Sequence, residues 1–106
     1  MYIYMKLLAI KLSERATKKY VATFCLCDGE TKCCDKERKR VHFGYKGSQT
    51  FLDHGDEKKR LAYVARHQKN ENFNDPLTAG SLARWINWNK TTLSASIADF
   101  KKRFNL

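Results

Sequence analysis

The chain has 106 residues and a formal net charge of +10, from 21 basic and 11 acidic side chains. That length suits one ordinary domain, and a 42% hydrophobic fraction with a single proline excludes a disordered polymer. No apolar run approaches the ~20 residues of a membrane span. The apolar start, Met1 to Leu12, carries Lys6 and Lys11 and has no small-residue cleavage pattern, so no signal peptide is expected.

The pattern changes once, near residue 53. Before it the chain reads as strands. Residues 4–12 form the first. Residues 19–27 are rich in aromatic and β-branched types. Period-two alternation there puts Tyr20, Ala22, Phe24 and Leu26 on one face, with Val21, Thr23, Cys25 and Cys27 on the other. A charged stretch follows, with a turn signal at Asp28-Gly29. Residues 40–45 alternate again, with Val41, Phe43 and Tyr45 opposite Arg40 and His42. These segments predict a three-stranded antiparallel meander with one long hairpin loop.

After residue 53 the chain reads as about three helices. Asp53 is expected to cap the first, over 53–70, with Asp56 and Glu57 in its first turn. Leu61, Val64 and Ala65 are its predicted apolar stripe, and Lys59, Tyr63, Arg66, His67 and Asn70 form another face. Asp75-Pro76 breaks the chain. Thr78 caps a second helix that aligns Leu82, Trp85, Ile86 and Asn89. Thr91 or Thr92 starts a third, where Leu93, Ile97, Phe100 and Phe104 fall at helical spacing. The expected fold is a single basic α+β domain over 1–106, its small sheet covered on one face by the helices.

The four cysteines, Cys25, Cys27, Cys33 and Cys34, lie within ten residues. Four thiolates can hold zinc tetrahedrally, but structural sites usually separate each pair by two to four residues, which this spacing does not. Plain hairpin residues are the favoured reading, with zinc and a disulfide as the alternatives and a reduced state as the default without a secretory signal. His42, His54 and His67 lack the second carboxylate cluster that a magnesium nuclease needs. Neither a nucleophile motif nor a Gly-rich phosphate loop is present. Gly44-Tyr45-Lys46-Gly47-Ser48 reads as a strand exit and a turn. No catalysis, cofactor or small-molecule substrate is expected.

Charge is the positive signal. Divided at Asp53, the halves hold 11 basic against 6 acidic residues and 10 against 5, so each is +5 and there is no basic tail. Clusters stand at Lys36, Arg38, Lys39 and Arg40, at Lys58, Lys59 and Arg60, and at Lys101, Lys102 and Arg103, with Arg66 between them. Such a field draws polyanions. Tyr45, Tyr63, Phe73, Trp85 and Trp88 are available for base stacking, although Trp85 lies on a predicted core stripe.

One ordered set of segments is distinctive. It runs Lys19-Tyr20-Val21-Ala22-Thr23-Phe24, Val41-His42-Phe43-Gly44, Arg66-His67, Glu71-Asn72-Phe73 and Asp75-Pro76, then residues 78–90 (TAGSLARWINWNK) and 96–104 (SIADFKKRF). Spanning roughly four-fifths of the chain, it resembles a family of small proteins encoded by large nucleocytoplasmic DNA viruses of algae and protists. The resemblance implies a viral origin and not an activity. It also implies a shorter hairpin that need not carry cysteines, and an apolar residue where Asn87 stands. The expectation is therefore a non-enzymatic virion protein, a minor capsid component. It would meet viral capsid proteins through a broad basic surface and reside in the virion and, during assembly, in host cytoplasm or nucleus. The alternative is a DNA-binding or packaging protein that contacts phosphates with its Lys/Arg clusters. A metal-dependent enzyme is a third reading.

Overall fold

A computed structural model describes residues 4–27 and 38–106. The elements run β1 (Tyr4–Leu12), β2 (Lys18–Cys27), β3 (Arg38–Tyr45), α1 (Phe51–His54), α2 (Glu57–His67), α3 (Ala79–Leu82), a π-helical turn (Ala83–Asn87) that continues α3, and α4 (Leu93–Phe104). The strands form the expected antiparallel sheet in the order β1-β2-β3, and the fold is α+β with helices following the sheet.

The alternation in β2 decides which face is covered. Ala22, Phe24 and Leu26 are buried in one core with Leu7, Phe43, Leu82, Ile86 and Phe100, and Tyr20 packs at its margin. The Phe24 ring meets Phe100 of α4 at 6.5 Å between centroids. In β1 the period-two pattern is interrupted. Leu7 pairs with Phe24 and Ala9 with Thr23, so the intervening Leu8 forms a bulge. An extra residue on one strand resets its facing. Here it returns Ile10, opposite Ala22, to the core side.

The helices end where side chains cap them. Thr78 accepts from Ser81 N–H and Thr92 from Ala95 N–H, which satisfies amides that a helix start leaves open. At the far end of α4, Asn105 takes a left-handed conformation (φ 56°) and Leu106 N–H bonds the Lys101 carbonyl at 2.8 Å. Ser96 is buried and accepts from Lys90 N–H at 3.0 Å, and Asn89 donates to Asp99 at 2.6 Å, which ties the 88–92 connection to α4.

The expected 53–70 helix is two helices. Asp53 is inside α1, where its carboxylate accepts from the Thr50 N–H at 2.7 Å. Gly55 then turns the chain in a left-handed conformation (φ 60°), and Asp56 caps α2 through Lys58 and Lys59 N–H. The predicted stripe of α2 is also corrected. Leu61 is 56% exposed, Ala65 is exposed, and no α2 residue is buried. Tyr63 attaches the helix by stacking on Trp88, with ring centroids 4.5 Å apart and planes 7° apart. The side of α2 turned toward the rest of the fold carries the half-buried Arg60, Tyr63, Val64 and His67, so of the predicted stripe only Val64 lies on it, and aromatic contact area dominates the attachment.

Removing the buried ring in Phe100→Ala should cost about 3–5 kcal/mol, and removing the α4 cap in Thr92→Ala about 1 kcal/mol. Urea denaturation reads both. Equal losses for the two variants would show that α4 is not anchored through Phe100.

Candidate functional site

Two regions carry concentrated chemistry. The first is the sheet face opposite the core. The register aligns Lys6 with Cys25 and Arg38, Ala9 with Thr23 and Arg40, and Lys11 with Val21 and His42. The edge strands thus place cations on either side of a central row, Val21, Thr23 and Cys25. Lys6, Lys11 and Arg40 are exposed, whereas Val21 and Cys25 are buried. Glu14 answers one of these charges, bonding Arg40 at 3.0 Å. Arg40 and the Glu14 backbone environment hold the Glu14 carboxyl below its ordinary value, the backbone hydrogen bond being the larger cause. Ser13 Oγ lies 2.7 Å from His42 Nδ1. Burial, then the charge of Arg15, lowers the His42 pKa.

The predicted cation clusters separate in space and in availability. Lys39 is exposed on β3, and Lys58 and Lys59 are exposed at the start of α2. Arg60 is committed to Glu57 and lies over the Phe51 ring. Arg103 pairs with Asp99 at 3.2 Å and sits 3.7 Å from the Trp85 ring centre, where Arg84 also stacks at 4.1 Å. Burial, then repulsion by Arg60 and Arg103, lowers the Arg84 pKa. Trp85 packs against the core as expected, and its indole N–H bonds the Phe73 carbonyl at 2.8 Å. Lys101 is half-buried beside an exposed Lys102. Among the described residues, the clusters therefore offer mostly lysines, since their arginines already hold intramolecular partners.

Cys25 is disulfide-bonded. A sulfur in a disulfide is not the thiolate that zinc requires, so in this state the zinc set of four is incomplete and Cys25 is not a plain hairpin residue. Cys33, Cys34, Lys36 and the side chains of Cys27 and Arg38 lie outside the described residues. Among the described residues no group of three His, Cys, Asp or Glu side chains gathers as a metal site.

The second region is a cavity of about 460 Å³ on the helical side of the sheet, between the end of β3, α2 and the α3–π segment. Lys18, Tyr45, Tyr63, Arg66, Glu71 and Asn87 are among its lining residues. The Tyr63 ring is held between His67, at 4.1 Å, and Trp88, at 4.5 Å. Burial, and secondarily the Glu71 charge, pushes the Tyr63 phenol up to about 12, so it stays protonated. Glu71 Oε1 meets His67 Nδ1 at 3.4 Å, while its buried Oε2 has no partner. Gly80 lies close beside it: a Cβ there would stand 2.8 Å from the Glu71 carboxyl carbon, so a side chain at 80 would displace the carboxylate.

Asn87 escaped the sequence reading as a site residue, as did Glu71. Their signal was available: a polar residue on the buried stripe of Leu82 and Ile86, and a glutamate four residues after His67. Gly44 to Ser48 is the strand exit and turn expected, closed by Ser48 N–H on the Tyr45 carbonyl at 3.1 Å. His54, read as a helix-start residue, ends α1, and its Nδ1 accepts from Asp56 N–H at 2.9 Å.

This arrangement defines a small α+β domain with cations exposed along the edges of one sheet face and a cavity on its helical side. Residues 8–67 match DUF5754, a family of unknown function, and the chain belongs to that family. No curated protein and no solved structure matches the chain. No helix among the described residues is long and apolar enough to cross a membrane.

The buried His42 carries a pH consequence. Its pKa in the fold lies below the ordinary 6.5, so between the two values the unfolded chain binds more protons and stability falls as pH falls. Thermal melts should therefore show a midpoint that drops as pH goes down from about 6.5. His42→Gln should flatten that slope. An unchanged slope in the variant would remove His42 as its source.

Proposed function

We propose that the protein is a non-enzymatic binding subunit that meets an anionic protein surface through the exposed cations along the edges of its sheet, as a minor capsid component of a large DNA virus. The observation that carries the binding reading is the placement of the exposed Lys6 and Lys11 on the face opposite the core, across the sheet from an Arg40 that Glu14 already pairs. A pleated face with cations along both edges complements a flat acidic patch. Opposite charge of this kind speeds association and fixes orientation more than it deepens affinity. The viral setting is supported by the sequence resemblance.

A second reading is favoured by Tyr45. It is 62% exposed at the end of β3, opposite Lys18 in the register and next to Lys46. An exposed ring among lysines suits a stacked base and its phosphate, so the same basic domain would contact nucleic acid.

Salt and particle composition separate the two. Virus particles stripped of DNA by nuclease should retain the chain, and Lys6→Glu with Lys11→Glu should release it. Absence of the chain from particles would overturn the capsid reading. For nucleic acid, log affinity should fall linearly with log salt, and the double variant should reduce the slope by about 2.

A further inference from the structure

Asn87 is out of place as a structural residue. It is 1% exposed, and neither its amide nitrogen nor its amide oxygen has a partner. Buried polar groups are normally paired, and each unpaired one calls for an explanation. A leucine would fill the position without that penalty. The residue also ends the π-helical turn, where Trp88 N–H reaches back to the Ala83 carbonyl at 3.1 Å and Arg84 Nη1 bonds the Trp88 carbonyl at 2.8 Å. Such turns recur at functional sites. The turn sets Asn87 against Gly44, whose φ is +76°; a Cβ there would stand 3.4 Å from the Asn87 amide oxygen. Glycine is favoured there by the left-handed φ, and the amide lies directly against this part of β3.

The rest of the cavity is matched to a planar polar ligand. Glu71 presents a second buried, unpartnered acceptor atom. Tyr63 presents a protonated phenol within a stack of flat rings. Arg66 and Lys18 add positive charge, and Arg66 is exposed. The volume of about 460 Å³ falls in the range of small-molecule sites.

We propose that this cavity binds a nucleobase that carries a phosphate, with Asn87 as the base-reading group. A carboxamide offers a donor and an acceptor side by side, which complement the adjacent acceptor and donor of an adenine edge. Glu71 accepts from a ligand N–H or hydroxyl, the edges of the His67–Tyr63–Trp88 stack line the side of the site, and Arg66 with Lys18 meets the phosphate. The Asn87 amide is closed to solvent, so the base engages it as the contact with Gly44 opens. The adjoining residues 45–47 are all exposed. A free nucleotide and a nucleotide within a strand share this chemistry. The cavity lies on the opposite side of the sheet from Lys6 and Lys11, so the inference is independent of the capsid reading.

The test is titration of the full chain with adenosine monophosphate, a short oligo-deoxyadenylate and ribose 5-phosphate. Readouts are the NMR signals of the Asn87 side-chain NH₂ and the Trp88 indole N–H. Adenosine monophosphate should shift both saturably, and ribose 5-phosphate should not. Asn87→Leu should weaken binding about tenfold or more while leaving the melting temperature equal or higher. Tighter binding of the oligonucleotide than of the monophosphate would assign the ligand to a strand, and the reverse to a free nucleotide. No saturable shift at millimolar ligand would overturn the proposal. So would an Asn87→Leu chain that binds equally well or is markedly destabilised, since the amide would then be irrelevant to binding or structural. A variant that does not fold at all counts with the destabilised outcome, and the wild-type titration still stands by itself.

Discussion

The contact between Phe24 and Phe100 is the constraint on which the rest of the molecule depends. It joins the middle strand to the last helix, and it commits one face of a three-stranded sheet to the core. A sheet this small has one hydrophobic face to bury against the helices, and that choice directs the alternate side chains to the opposite side. The positions of Lys6, Lys11 and Arg40 follow from that choice through strand alternation and the bulge at Leu8, without which Lys6 and Lys11 would lie on opposite faces. So does the cavity, which occupies the margin where α3 and the π-helical turn lean on the end of β3 while α2 stands off from the core.

The strands and α4 were legible because their apolar residues repeat at the period of the element that buries them. Phe24 and Phe43 announce their faces by alternation, and Leu93, Ile97, Phe100 and Phe104 announce theirs by helical spacing. The α2 region was not legible in that way. Its aliphatic residues, Leu61 and Ala65, are exposed, and its attachment is a ring-on-ring contact whose partner, Trp88, lies 25 positions away in the chain. Gly55 carried the signal for two helices, since its left-handed conformation ends α1, but the acidic residues on either side of it both resemble caps. The bulge at Leu8 was invisible because it shows only in the register with β2.

The basic clusters were legible as composition, but not the division of tasks within them. Side chains adjacent in sequence serve different tasks: in Lys58-Lys59-Arg60 the arginine is drawn to Glu57 and Phe51, and in Lys101-Lys102-Arg103 it is drawn to Asp99 and Trp85. A guanidinium that pairs and stacks is already desolvated in part, so little of its charge is left for a partner. The sheet face draws on cations far apart in sequence, and only the register assembles them. The cavity residues are similarly dispersed, from Lys18 to Trp88.

The absence of any buried residue in α2 has a dynamic consequence. An element with no share of the core has little to lose when it detaches, so its opening free energy lies well below that of global unfolding. Amide hydrogens of α2 then exchange with solvent through a partial opening in which β2 and α4 remain intact. Because Tyr63, Arg66 and His67 form one wall of the cavity, each such excursion also unroofs it. The helix that sequence reading placed on the core thereby becomes the movable side of a compartment, held mainly by ring contacts: Tyr63 on Trp88 and Arg60 over Phe51.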